Sequence, residues 1–83
     1  MTSLQDLARE AIQVQDACNL SGVAHGFSKA MSDLRSMGLD SSACAQHPIT
    51  LVWIDKLASL SGYRQDYSSD MIAAYREVER MAL

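Results

Sequence analysis

Residues 48–61 read PITLVWIDKLASLS, and this run decides the fold class. Pro48 suits a first helical position, because the N–H it lacks is one a helix start leaves unbonded anyway. His47 stands before it in a cap position, and Gly62 closes the segment. Ile49, Leu51, Val52, Trp53, Ile54, Leu57 and Leu60 surround most of the helix instead of forming one stripe. A helix that is apolar all round is central to its protein or covered by a partner. Leu51 and Ile54 lie opposite Ile49, Trp53 and Leu60. The run therefore reads as a central helix burying both sides, or as a helix with an exposed interaction patch. Lys56 sits among the apolar positions, where a lysine runs its stem along the core edge or pairs with a carboxylate such as Asp16.

Working outward, the flanking segments are helical too. Leu4, Leu7, Ala8, Ala11, Val14 and Cys18 recur at spacings of three and four, predicting a helix over 3–18. Ser3 and Asp6 have the spacing of a capping box. Asn19–Gly22 is a turn or a kink. The apolar phase resumes at Leu20, Val23, Ala24, Phe27, Met31 and Leu34, predicting a helix over 20–37 that stops at Gly38. Residues 39–47 read as a loop. Ser68 or Ser69 caps a last helix with Asp70 in its first turn and Met71, Tyr75, Val78 and Ala82 on its apolar face. No segment alternates with period two. The expected fold is all-α: one domain over 1–83, a compact bundle of three to four short helices.

Composition excludes several function classes. The 83 residues carry seven Lys/Arg against ten Asp/Glu, a net charge of −3, with no basic patch, so direct nucleic-acid binding is disfavoured. The N-terminus MTSLQDLARE shows no apolar signal-peptide core, and Ser, Gln, His and Pro interrupt the run 39–54, so no membrane span is expected. The expected location is cytoplasmic, with Cys18 and Cys44 as thiols rather than a disulfide. Cys44 and His47 have C-x-x-H spacing, and Cys18 and His25 complete a formal set of four ligands. Cys18 belongs to an apolar stripe, however, and His25 faces away from one. The favoured reading is a buried Cys18, a loop Cys44 and a capping His47, with no metal and no cofactor. No nucleophile elbow, H-E-x-x-H or phosphate loop occurs, and no catalytic residue is assigned.

Gly22, Gly26 and Ala30 share one side of their helix. Glycines there cost about 1 kcal/mol each, offset when another backbone comes close. The favoured partner is the first or the last helix, with a homodimer contact as the alternative.

Two stretches, QVQDACNLSGVAHGFSKAM at 13–31 and HPITLVWIDKLASLSG at 47–62, resemble short helical proteins of phages and of bacterial integrative and other mobile elements. The likeness is one of pattern and carries no activity and no residue role. It implies accessory cargo of a mobile element, a class in which small acidic helical proteins often inhibit host defence, as anti-CRISPR proteins do.

The leading expectation is thus a non-enzymatic protein–protein interaction module, a stoichiometric inhibitor of a bacterial defence complex. Its expected contacts are Leu51, Trp53 and Ile54, with Trp53 as anchor. Asp55, Asp66 and Asp70 would steer it to a basic protein surface. The alternatives are a homo-oligomeric structural or ligand-binding protein, and a small DNA-binding regulator.

Overall fold

The computed structural model describes residues 2–13, 19–62 and 69–83, and the account below concerns these residues. They form α1 (Leu4–Gln13), α2 (Leu20–Ser36), α3 (Ser41–Gln46), α4 (Pro48–Leu60) and α5 (Ser69–Ala82), with no strand among them. The all-α bundle expected from periodicity is the fold. Residues 14–18, the end of the first predicted helix and its possible continuity with the second, lie outside the described residues.

The starts of α1 to α4 are each set by a side chain. Ser3 and Asp6 close a reciprocal box at 3.2 Å in both directions, each side chain accepting the other's backbone N–H. The Ser3 N–H bond is the main reason the Asp6 carboxyl titrates below its ordinary range. Asn19 Oδ1 accepts from the Ser21 N–H at 3.0 Å, and Asp40 Oδ1 from the Ala43 N–H at 2.7 Å. At the end of α2, Gly38 (φ +95°) donates to Arg35 O and Leu39 to Leu34 O, a Schellman turn. Leu39 packs back on the core beyond it.

Asp40 starts the one helix the sequence reading missed. Residues 41–46 were expected in a loop and form α3, which turns Cys44 into the core. Cys44 is therefore a buried helical thiol rather than a loop cysteine, with Sγ 3.7 Å from Leu39 O.

The apolar character of α4 all round has a direct cause. It packs on α1, α2, α3 and α5 at once. Ile49, Val52 and Trp53 are fully buried, in a core completed by Leu7, Val23, Leu34 and Val78. Thr50 is buried as well, its hydroxyl donating to the Cys44 carbonyl and tying α4 to α3.

The face of α2 that meets α4 differs from the predicted stripe. Leu20 and Ala24 are exposed and Phe27 and Met31 half-buried, while Val23, Gly26, Ala30 and Leu34 form the buried row. The Trp53 indole decides this. A β-carbon placed on Gly26 would lie 2.4 Å from Trp53 Cη2 and 2.9 Å from Cζ3. The small residues of α2 do receive a close neighbour. It is the aromatic ring of α4, not the first or last helix and not a second copy. Gly22, one turn earlier, is exposed with nothing near it.

Polar links close the outside. Lys29 reaches Glu10 of α1 at 3.2 Å and Asp33 of its own helix at 3.1 Å. Arg9 donates to Ala82 O at 3.4 Å, placing a cation at the C-terminus of α5.

Candidate functional site

The six expected contact residues divide sharply. Trp53 is 1% exposed and Asp55 4%. Neither is offered to a partner on the folded surface, because both lie on sides of α4 that other helices cover. Asp55 instead accepts a hydrogen bond from the Tyr75 hydroxyl of α5 at 2.6 Å. The expected apolar anchor and one expected steering carboxylate are thus interior groups. Ile54 is half-buried, and Asp66 lies outside the described residues.

Leu51 and Asp70 remain, and the fold brings them together. A shallow, open cleft of about 520 Å³ runs between the α3–α4 corner and α5. Pro48 and Leu51 form one wall, Asp70 and Ala73 the other, with Glu77 at one end and Ala45 at its edge. Asp70, Ala73, Ala74 and Glu77 follow i, i+3, i+4, i+7 spacing, so two small side chains lie between two carboxylates about 10 Å apart along the helix. Glu77 pairs with Arg80, and that bond is the main reason its carboxyl titrates low. The result is an apolar trough with an acidic rim. Pro48 was read only as a helix start, and Ala73 and Glu77 were not singled out in the sequence. The spacing from Asp70 to Glu77 was the available signal.

His47 stands at the α3–α4 corner. It ends α3 and begins α4, and its Nδ1 accepts the Ile49 N–H at 3.2 Å. This role needs an unprotonated Nδ1. Burial pushes the His47 pKa down, against a smaller upward pull from Glu77. The folded protein therefore prefers neutral His47. The stability tied to it is complete above the ordinary histidine value of about 6.5 and is lost as pH falls below it. Wild type should lose stability in denaturant titrations between about pH 7 and pH 5, ahead of the carboxylates. His47→Asn, which caps without titrating, should flatten that slope, and an unchanged slope would reject the role.

Among the described residues no three His, Cys, Asp or Glu side chains are placed to hold a metal. His25 is exposed on α2 and Cys44 is a free, buried thiol, while Cys18 lies outside the described residues. No described helix is long and apolar enough to cross a membrane. No protein-family model, no curated protein and no solved structure matches the chain.

Proposed function

We propose that the chain is a non-catalytic protein-binding module that blocks its partner stoichiometrically, and that the partner is a bacterial defence complex. The observation that carries the binding reading is the cleft, which gathers Leu51 and Asp70 with Pro48, Ala73 and Glu77 into one apolar trough rimmed by carboxylates. Such a trough suits an apolar side chain of another protein flanked by Lys or Arg. The defence complex is supported by the sequence resemblance to mobile-element proteins and by the acidic balance of the chain, −3 overall. Nucleic-acid-handling effectors carry basic channels that an acidic protein can occupy.

The test is a titration of the purified chain into DNA cleavage by CRISPR effector complexes. Inhibition should be complete near one chain per effector. Ala45→Arg changes an exposed residue at the cleft edge and keeps good helix propensity. It should weaken inhibition about tenfold or more while the helical circular dichroism is unchanged. Uninhibited cleavage by every effector, or equal inhibition by the variant, would overturn the reading or its site. Direct retardation of DNA by the chain would move it to the regulator class.

A further inference from the structure

We propose that the cleft between the α3–α4 corner and α5 takes an α-helix of the partner protein, one with Lys or Arg at both i and i+7 and bulky apolar residues at i+3 and i+4. This deepens the protein-binding reading of the cleft and rests on it, but not on which complex the partner is. Asp70 and Glu77 are the only charged groups among the described residues that line the cleft, so its occupant is cationic where it meets them. Around them the lining is mostly small or apolar, with Ala73 and Ala74 on α5 and Pro48 and Leu51 on α4.

The spacing of the two carboxylates selects the shape of the occupant. They stand two turns apart on one side of α5, about 10 Å along its axis. Residues seven apart on a second helix share a side at the same distance, and a shallow crossing of about 20° keeps such pairs in step over two turns. An extended strand does not match, because its same-side residues recur at about 6.6 and 13 Å. A polyproline helix comes closer, at about 9 Å for three residues. Such ligands are held by aromatic grooves, however, and none of the described lining residues is aromatic. Ala73 and Ala74 fall between the carboxylates and offer only methyl groups. The two helices can therefore approach closely, and the partner's i+3 and i+4 side chains fill the space against Leu51 and Pro48. The pattern reads the same in both directions, so parallel and antiparallel seating both satisfy it. Glu77 is engaged with Arg80, but that pair is exposed, and an exposed pair is weak enough to be shared or displaced.

Fluorescence anisotropy of the whole chain against labelled alanine-based helical peptides of about 18 residues tests this. One peptide carries Lys at i and i+7 with Leu at i+3 and i+4. A second has the same composition, with its lysines moved to i+2 and i+9, off the leucine face. The first should bind with a Kd below about 100 µM, and the second about tenfold more weakly or worse. Asp70→Lys combined with Glu77→Lys should reverse the preference, releasing the lysine peptide and binding its counterpart with Glu at i and i+7. Ala73→Gln keeps both carboxylates and good helix propensity at an exposed position. It should still weaken the lysine peptide about tenfold by filling the space between them. Equal binding of the two lysine peptides, no binding of the first up to about 1 mM, a folded double variant without reversal, or an unaffected Ala73→Gln each overturns the proposal. Inhibition of an effector without peptide binding would remove the helix and leave the protein-binding reading standing. Peptide binding with no effector inhibited would support the helix and remove only the defence complex.

Discussion

Replacing Trp53 by alanine should cost about 3–5 kcal/mol and leave most molecules unfolded at room temperature. The indole is 1% exposed on the helix that all the others contact. Its removal opens a cavity bounded by rigid helices, and the Gly26 backbone opposite offers no side chain to fill it. A domain of 83 residues has little stability to spare, so a loss of this size exceeds or matches the whole. Urea titration followed by circular dichroism measures it. A midpoint close to wild type would show that the ring is not the keystone of the core. Trp53→Phe should cost less. It gives up area, but it also removes an indole N–H that is buried with no acceptor among the described residues.

The second large effect is a reversal of sign at Gly26. In an ordinary helix interior Gly→Ala stabilises by about 1 kcal/mol. Here the new methyl would sit 2.4 Å from Trp53 Cη2, so the ring or α2 must move. Overpacking of this kind costs about 1–3 kcal/mol, and Gly26→Ala should be net destabilising by about 1–2 kcal/mol. The contacts fall on the far ring of the indole, which phenylalanine does not reach. In a Trp53→Phe background the same Gly26→Ala change should therefore become neutral or stabilising. The coupling read from the double-mutant cycle is the test. Additive effects would mean that the two residues do not meet.

These two residues also show what the sequence discloses. The apolar run of α4 announced a helix, and its even distribution announced a central one, because only neighbours on several sides justify it. The caps at Ser3, His47 and Gly38 were legible for the same reason: each supplies a specific atom or backbone angle that a helix end requires. The buried face of α2 was not legible from hydropathy. Gly26 and Ala30 carry almost no hydrophobic signal, and only the shape of a ring contributed by a distant segment makes them interior. α3 escaped because six residues hold fewer than two turns, too few for a period to show. Asp55 looked like a surface carboxylate because its partner, Tyr75, is 20 residues away. The cleft escaped because its walls belong to separate helices. Leu51 and Asp70 were named singly, and nothing in their local sequence says they face each other.

The contact between α1 and α5 has a kinetic meaning. Arg9 bonds to Ala82 across 73 residues, and Leu7, Ala8 and Ala11 are sealed on the side where the last helix lies. Every helix can start from local signals, but the bundle closes only when its two ends meet. Closure over such a long loop is an entropic cost met late, after α2 and α4 have organised around the indole. Of the described helices, α1 is thus among the last to be protected. Its amides should exchange with solvent through openings that undock α5, so the two ends of the chain behave as one unit of local unfolding.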